Sequence, residues 1–409
     1  MTELGRIPVD WNVERLAKLV KRRNGAIKIG PFGSQLKKNE LSPIGIKVYG
    51  QENVINHDFE TGNRFVSTSK YRALKSFEIY PNDVLISMMG TVGYAAIFPP
   101  EAKKGIMDSH LLRIQPDPRF LEPRFLSILL SESWLVEEQI NKLSQGSIMG
   151  GLNSKIVRSL VIPVPSLIEQ QKIAKVLSDT DALIESLDAL ISKKKNIKQG
   201  LMQTLLTKGI GHTKFKKTEI GEIPEEWQIL PISETGKYIN GMAFKPSDWK
   251  KQGIPIVRIE NLTDPNSDFN YFQGKIDDKY ILKFGDILFS WSATLGVYLW
   301  DRGKAVLNQH IFKVIPYRTV KEGYLYWALQ RSIDELNRVT HGSTMKHFQK
   351  GELDRTLIPI PSVSEQEKID MILADSNQEI QMLEQKRDKY KLLKTGMMQQ
   401  LLTGGIRIK

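Results

Sequence analysis

Asp83, Glu101 and Lys103 are the residues whose types and spacing could do chemistry as a group. Two carboxylates can hold a divalent metal ion and a lysine can stabilise developing charge, as in some metal-dependent nucleases. A second copy of the surrounding sequence keeps the aspartate as Asp286 but offers only Asp-Arg-Gly-Lys at 301–304, so the triplet is not repeated. Because Asp suits a turn before a buried strand, we predict a structural role for both aspartates and keep a self-contained nuclease as the alternative.

No other motif for catalysis is found in the sequence. There is no G-x-x-x-x-G-K-[ST] loop and no G-x-G-x-x-G after a strand pattern, which argues against a nucleotide-driven motor. The Asn-Pro-Pro-aromatic tetrapeptide used by amino-methylating enzymes is also absent. The chain has no cysteine, and its six histidines do not fall at metal-ligand spacing. We therefore predict no catalytic residue, no metal site and no cofactor bound by this chain.

Composition favours a binding protein for a polyanion. The formal net charge of +12 and the pI of about 9.4 point toward nucleic acid, the commonest large polyanion. The 409 residues exceed one comfortable core, so two or more domains are expected. The first residues lack the apolar stretch of an export signal, and the longest uncharged run, 84–100, is too short to span a bilayer. We expect a cytoplasmic protein that does not contact a membrane.

Polar side chains that could read base edges cluster at several places. His110 and His310 occupy equivalent positions before an apolar strand, where a hydrogen-bonded structural histidine is the alternative. Two glycine-bearing loops add basic and amide groups, although a solvated loop would look the same. The predicted DNA-contacting residues are Lys28, Ser34, Gln35, Lys37, Lys38, Ser109, His110, Gln145, Ser147, Asn240, Phe244, Lys245, Arg258, Asn308, Gln309, His310, His341, Ser343, Lys346 and His347.

Two long helices must position these clusters. The stretch 166–209 aligns without a gap to 362–405 at a constant offset of 196, since Ser166 matches Ser362. Each begins with Ser-x-x-Glu, a capping box, and each is about 40 residues or roughly 60 Å long at 1.5 Å per residue. Apolar residues spaced three and four apart predict that the helices pack on each other as an antiparallel coiled coil. The predicted seam consists of Ile173, Val176, Leu183, Leu187, Leu190, Ile197, Leu201, Ile369, Ile372, Ile380, Leu383, Tyr390, Leu393 and Met397.

The helix ends carry further signals. Gly200 and Gly396 interrupt good helix formers at matching positions and mark either a kink or a close backbone approach. The apolar ends 201–206 and 397–402 offer more hydrophobic surface than two helices need, which predicts that a third element packs there.

The duplication extends over the rest of the chain. Gly-x-Ile-Pro-x-x-Trp at 5–11 recurs at 221–227, and Gly-Ser-x-Met at 146–149 recurs at 342–345. Short apolar runs at 46–49, 84–88, 254–259, 287–291 and 311–316 predict strands, and 123–143 and 320–338 predict helices. The fold class is therefore α+β, with domains at 1–165 and 211–361 and long helices at 166–210 and 362–409. The segment 208–222 has no periodicity and predicts a linker.

These features together resemble the specificity subunits of type I restriction-modification systems. The resemblance covers nearly the whole chain and rests on the Gly-x-Ile-Pro-x-x-Trp openings, the strands after Asp83 and Asp286, the Pro-x-Pro-Ser-x-x-Glu-Gln-x-Lys-Ile entries at 163–173 and 359–369, and the Met-Gln-x-Leu-Leu-Thr exits. It departs from the family pattern at Asn82, where a glycine is usual, and shows no tandem short repeat in the linker.

The resemblance implies two target recognition domains, each reading one half of a split DNA sequence. It also implies methyltransferase subunits, two per chain, which carry S-adenosylmethionine, and a restriction subunit with translocase activity. Independently, two similar domains on antiparallel helices would be related by an approximate two-fold axis and could face two half-sites of one duplex. The loops differ between the copies, so the half-sites should differ. A coiled-coil adaptor that binds only proteins is the remaining alternative.

Overall fold

The computed structural model describes residues 4–144, 152–264, 266–292, 294–339 and 351–408. It divides into two compact units, Met1–Leu187 with Lys386–Lys409 and Asp188–Gln385. Each long helix therefore contributes residues to both units. No helix in these described ranges is long and apolar enough to cross a membrane.

The first unit contains the short strands and helices that precede the first long helix, the part of that helix up to Leu187, and the end of the second long helix from Lys386. Its elements are β1 (Asn12–Arg15), β2 (Ile27–Ile29), β3 (Ile46–Tyr49), α1 (Gln51–Ile55), β4 (Phe65–Val66), α2 (Thr68–Ala73), β5 (Val84–Ser87), β6 (Ala95–Ile97), β7 (Gly105–Met107), β8 (Leu111–Ile114), α3 (Pro123–Glu132), α4 (Trp134–Ser144), α5 (Ser154–Ser159), β9 (Val161–Val164) and α6 (Leu167–Leu205). One sheet has the order β2-β8-β5-β6, a second β4-β3-β7, and β1 pairs with β9. The long predicted helix 123–143 is two helices, because Ser133 between them has an extended backbone.

The second unit repeats this connectivity. Its elements are β10 (Phe215–Thr218), β11 (Gly221–Pro224), β12 (Gln228–Pro231), β13 (Gly236–Asn240), β14 (Ile254–Val257), α7 (Ile259–Thr263), β15 (Asn270–Phe272), β16 (Ile281–Leu282), β17 (Ile287–Ser290), β18 (Gly296–Leu299), β19 (Ala305–Leu307), β20 (Ile311–Pro316), α8 (Glu322–Val339), α9 (Glu352–Arg355), β21 (Leu357–Ile360) and α10 (Val363–Leu401). The sheet β13-β20-β17-β18 matches β2-β8-β5-β6, and β12 pairs with β21 as β1 pairs with β9. The α+β prediction with duplicated domains is confirmed.

The predicted linker at 208–222 is wrong. Residues Phe215–Thr218 and Gly221–Pro224 pair as the antiparallel hairpin β10–β11. The sequence of this hairpin lacks the alternation of apolar and polar residues expected of a half-buried strand, because lysines and a threonine make up most of its first strand. Only Ile223 and Pro224 of the hairpin are buried.

The two long helices run antiparallel within each unit. In the second unit, Lys194 Nζ lies 2.7 Å from Glu379 Oε1 and Lys198 Nζ 2.8 Å from Asn377 Oδ1, so the partner number falls as the chain advances. In the first unit, Lys394 Nζ lies 2.7 Å from Asp181 Oδ1.

Half of the predicted seam positions are correct, and the other half lie one residue before the more buried neighbour. Ile173, Leu187, Ile369 and Ile380 are buried as predicted, and Leu383 and Tyr390 are half-buried. The buried neighbours Leu177, Ile184, Ile191, Met202 and Leu373 replace Val176, Leu183, Leu190, Leu201 and Ile372, while Lys198 and Lys394 replace Ile197 and Leu393. Met397 is half-buried against the core of the first unit. Apolar residues occur along the helices both at steps of three then four and at steps of four then three. Periodicity therefore did not decide which of the two registers forms the seam.

The apolar helix ends pack inside the units themselves. Leu205 and Leu206 belong to the core cluster of the second unit, and Leu401 and Leu402 belong to that of the first. The predicted third element is thus the globular domain. Gly200 and Gly396 lie within continuous helices, and a Cβ on either would meet no atom within 4 Å. Neither glycine marks a helix end or a close backbone approach.

Each long helix begins at an anchor made of one tryptophan and one glutamate. Trp11 Nε1 donates to Glu169 Oε2 at 3.0 Å, and Trp227 Nε1 donates to Glu365 Oε2 at 3.0 Å. The serine half of the predicted capping box is present, since Ser166 Oγ accepts from Glu169 N at 3.3 Å. The glutamate half is wrong, because the carboxylates bind the tryptophans instead of the helix amides.

A buried glutamine follows each anchor. Gln170 Nε2 donates to the carbonyls of Phe120 and Pro165, both at 2.9 Å, and its Oε1 accepts from Glu122 N at 2.8 Å. Gln366 makes the corresponding three bonds in the second unit. Each glutamine fastens the start of a long helix to the loop before α3 or α8.

Candidate nucleic-acid interface

In the first unit, a glycine brings two predicted clusters together. Gly30 N donates to Leu111 O at 2.9 Å, and a Cβ on Gly30 would overlap the carbonyl oxygen of Asp108. Only glycine permits this close crossing of the two backbones. The loop after β2 therefore lies beside the turn that carries Ser109 and His110, although the sequence did not predict that the two clusters meet.

The second unit uses the same crossing. Gly241 N donates to Ile311 O at 3.0 Å, and a Cβ on Gly241 would overlap the carbonyl oxygen of Asn308. Gln309 N then donates to Met242 O at 2.9 Å. The loop after β13 and the turn at 308–310 thus form one continuous edge.

His110 belongs to a charged network. Asp108 Oδ1 accepts from His110 N at 2.9 Å and lies 3.7 Å from His110 Nδ1, while Asp108 Oδ2 lies 2.8 Å from Arg64 Nη1. Arg64 also pairs with Glu52. The His110 side chain is 48% exposed, so this network orients an accessible imidazole.

His310 belongs to an aromatic and amide cluster instead. Its ring lies 4.8 Å from the ring of Trp291, whose Nε1 donates to Asn240 Oδ1 at 3.1 Å. The backbone of His310 is left-handed, with φ of 73°, and its Nδ1 is a buried atom without a hydrogen-bond partner among the described residues. Asn308 Oδ1 is likewise buried and unpaired. Trp291 was not predicted, although its position after a strand and its polar neighbours were visible in the sequence.

The loop after β2 offers most of its predicted groups to solvent. Ser34, Gln35, Lys37 and Lys38 are exposed, and Gln35 Oε1 accepts from Phe32 N at 3.2 Å. Lys28 differs, because its Nζ lies 4.2 Å from the centre of the Phe77 ring, and burial followed by the charge of Arg113 lowers the pKa of Lys28.

Phe32 was missed as a candidate. It is 66% exposed at the loop tip between a buried proline and the lysines, and sequence alone does not distinguish an exposed aromatic from a core one. It belongs to the same exposed loop as Lys37 and Lys38.

The side chains of two predicted residues of the second unit contact other residues of the protein. Phe244 is 7% exposed and packs edge-on to Phe272 at 5.2 Å, so the prediction that its ring contacts DNA is wrong. Arg258 pairs with Glu260 and lies 5.3 Å from the Trp249 ring, which neutralises and covers its guanidinium. Lys245 is exposed, and its contact with DNA stays a prediction.

Asp83 has the predicted structural role. It is fully buried, its Oδ2 accepts from Tyr80 N at 3.0 Å, and Gln115 Nε2 donates to its Oδ1 at 2.9 Å. Burial raises the pKa of Asp83. The preceding Asn82 has φ of 67°, the left-handed conformation that a glycine supplies most readily and that Asn tolerates. Where the structure describes the chain, no three acidic or histidine side chains are placed to hold a metal ion.

Six predicted residues lie outside the described part of the chain: Gln145, Ser147, His341, Ser343, Lys346 and His347. The described candidates give each unit an edge with amide, imidazole and ammonium groups, and the first unit adds the hydroxyls of Ser34 and Ser109. Such groups can contact phosphates and base edges. The edges differ in chemistry, since the first carries an Asp–Arg network and the second a Trp–Asn cluster.

Known proteins are similar to this chain in sequence and in fold. A family described as the type I restriction modification DNA specificity domain matches residues 8–197 and 224–391. The type I restriction enzyme MjaVIII specificity subunit of Methanocaldococcus jannaschii is 26% identical over 423 aligned positions, which cover 99% of this chain and 95% of the relative. The EcoBI specificity subunit of Escherichia coli is 27% identical over 44% of this chain and 40% of its own length.

A crystal structure of the type I restriction-modification S subunit from M. genitalium matches with a TM-score of 0.58 at 15% identity, covering 98% of both chains. A chain from a structure on the assembly and conformational transition of the type I system matches with a TM-score of 0.55 at 16% identity, covering 98% of this chain and all of that one. At these identities the structural matches support the fold.

Proposed function

This chain belongs to the family of type I restriction-modification DNA specificity proteins, and from that premise we propose that its two units each read one half of a divided, asymmetric DNA target. As a specificity subunit, the chain recognises DNA, is not itself a catalyst, and acts with methyltransferase and restriction subunits.

The observation that carries the two-half proposal is the repeated crossing at Gly30 and Gly241. In both units it joins a polar loop to a histidine turn, and it does so within the same strand order. The groups offered differ between the units, so the two halves of the target should differ in sequence. Exposed lysines such as Lys37 and Lys38 would contact phosphates and make the affinity depend on salt.

We propose further that the chain is a scaffold on which two methyltransferase subunits assemble, each carrying S-adenosylmethionine, together with the restriction and translocase subunit. Two related units on one chain offer two related docking places, which supports this number. Methyl transfer then belongs to those partners, since this sequence has no Asn-Pro-Pro-aromatic tetrapeptide of the kind that amino-methylating enzymes use.

Single-residue variants of the two edges test the proposal. The chain would be assembled with its methyltransferase, and the methylated target determined by sequencing DNA modified in cells. Gln35→Ala should relax the preference in one half of the target only, and Gln309→Ala in the other half only. If both variants altered the same half, or if the assembled complex showed no sequence preference, the proposal would be wrong.

A further inference from the structure

Lys198 and Lys394 are equivalent residues of the two long helices, separated by the repeat offset of 196. Both are half-buried between α6 and α10, each within its own unit. Their surroundings are not equivalent, and the difference lies in the number of carboxylates.

In the first unit, Lys394 is neutralised by the chain itself. Its Nζ pairs with Asp181 Oδ1 at 2.7 Å and with Glu132. Burial alone lowers the pKa of Lys394, but the hydrogen bonds to Asp181 and Glu132 outweigh it and raise the pKa.

In the second unit, both carboxylates are missing. Asp181 is replaced by Asn377, whose Oδ1 accepts from Lys198 Nζ at 2.8 Å. Glu132 is replaced by Arg331, if α3 and α8 are aligned through the equivalent bonds of Glu122 and Lys321 to the two buried glutamines. Among the described residues, Lys198 has no carboxylate within 4 Å. Burial, followed by the charge of Lys195, lowers its pKa, and the more distant charges of Asp334 and Glu384 only partly oppose this.

Lys198 opens onto a groove of about 560 Å³ with aromatic walls. The groove is lined by Lys195, Lys198, Gln199, Met202, Tyr326, Trp327, Gln330 and Asp334. Lys198 Nζ lies 5.5 Å from the centre of the Trp327 ring. Tyr326 and Trp327 also line a neighbouring cavity of about 590 Å³, at whose rim Phe284 is 79% exposed.

The charges in this groove select the kind of occupant. Lys195, the other cation of the groove, is already paired with Glu384 at 2.7 Å, which leaves Lys198 as the unpaired cation among the described groove residues. Asp334 in the groove and Asp370 in the neighbouring cavity oppose a run of phosphates, so a single carboxylate suits Lys198 better than a nucleic-acid strand does. A protein segment that brings one carboxylate and an apolar side chain meets one unpaired cation and aromatic walls. The carboxylate of such a segment would pair with Lys198 as Asp181 already pairs with Lys394.

We propose that Lys198 is the receptor for a carboxylate of the methyltransferase subunit, which docks in the groove lined by Tyr326 and Trp327. This inference rests on the proposed scaffold role. The docking place on the second unit would depend on Lys198, whereas the equivalent lysine of the first unit, Lys394, is already neutralised within the chain. The two places would therefore differ in affinity and in their response to salt.

Two variants test the proposal in the full-length chain, each titrated by calorimetry with the purified methyltransferase subunit of the same system. Lys198→Met keeps the stem and removes the charge, and we expect about tenfold weaker binding at one of the two places, as for the loss of a desolvated charge pair. Asn377→Asp supplies the missing carboxylate internally. It should raise the melting temperature of the free chain yet weaken binding at the same place. Lys175→Met, an exposed lysine on the same helix, is the matched control.

The outcomes separate this inference from the proposed function. No binding of methyltransferase by the unmodified chain would refute the scaffold role itself. Binding by the unmodified chain that neither Lys198→Met nor Asn377→Asp weakens would refute only the carboxylate receptor. Weakened capture of the restriction subunit alone, with methyltransferase binding unchanged, would show that the assigned occupant is wrong.

Discussion

Replacing Glu169 by Gln is expected to destabilise the first unit substantially. The Glu169 side chain is 4% exposed, and its carboxylate accepts from Trp11 Nε1 at 3.0 Å and from Arg407 Nε and Nη2 at 2.6 and 2.9 Å. The substitution keeps the shape and one acceptor, so the indole bond can persist. It removes the charge that attracts the guanidinium.

The magnitude follows from which partners remain. A hydrogen bond to a charged group contributes about 1.5–3 kcal/mol, and breaking a wholly buried pair costs about 3–5 kcal/mol. Arg407 keeps Asp10, at 2.8 Å on two nitrogens, so it is not left without a counter-ion. The lower range therefore applies, and a loss of about 2 kcal/mol corresponds to a fall of roughly 4–8 °C in melting temperature for a unit of this size.

The loss should depend on pH in a defined direction. Hydrogen bonding from Arg407 lowers the pKa of Glu169 below its usual 4.5, although burial opposes this. The stabilisation is thus fully present above pH 4.5 and is lost as the pH falls through the lowered pKa. Thermal unfolding of the unmodified chain and of Glu169→Gln, followed by circular dichroism from neutral pH down to about pH 3, should give curves that converge on acidification. Equal melting temperatures at neutral pH, or a difference that does not shrink in acid, would refute the reasoning.

Five further substitutions have expected outcomes. Gly200→Ala and Gly396→Ala should each stabilise the chain by about 0.5–1 kcal/mol, measured by denaturant unfolding, because both helix interiors leave open space for a Cβ; a lower midpoint would contradict this. Gln366→Leu should destabilise the second unit by about 2–3 kcal/mol, since three backbone groups lose the buried Gln366 side chain as their partner, and an unchanged midpoint would contradict it. Phe32→Ala should weaken DNA binding in a fluorescence anisotropy assay and leave the melting temperature unchanged, whereas Phe244→Ala should lower the melting temperature; a stability loss in Phe32→Ala would show that the exposed ring has a structural role.

The sequence predicted the duplicated architecture because its signals are local and were present twice. The Ser-x-x-Glu starts and the long periodic stretches placed the helices within a few residues of Leu167–Leu205 and Val363–Leu401. Strands such as Ile46–Tyr49 were recognised from β-branched runs. These features depend on neighbours in sequence and need no knowledge of tertiary packing.

Tertiary contacts decided the features that were missed. Leu190 and Ile191 are both apolar, and only the packing of the partner helix chose Ile191 for the seam. Phe32 and Phe244 follow equivalent glycines in the two loops, yet one ring faces solvent and the other meets Phe272. The number of carboxylates that pair with Lys198 depends on which residues the neighbouring helices place beside it. Long-range packing of this kind leaves no trace in local sequence patterns.

Exchange of a single domain tests the central claim most directly. Residues 12–164, from the start of β1 to the end of β9, would be replaced by the corresponding segment of a family member with a known target, and the chimaera would be expressed with its methyltransferase partner. Sequencing of the methylated DNA should show one half of the target replaced by that of the donor, with the other half unchanged. A change in both halves, or in neither, would contradict the assignment of one half to each unit.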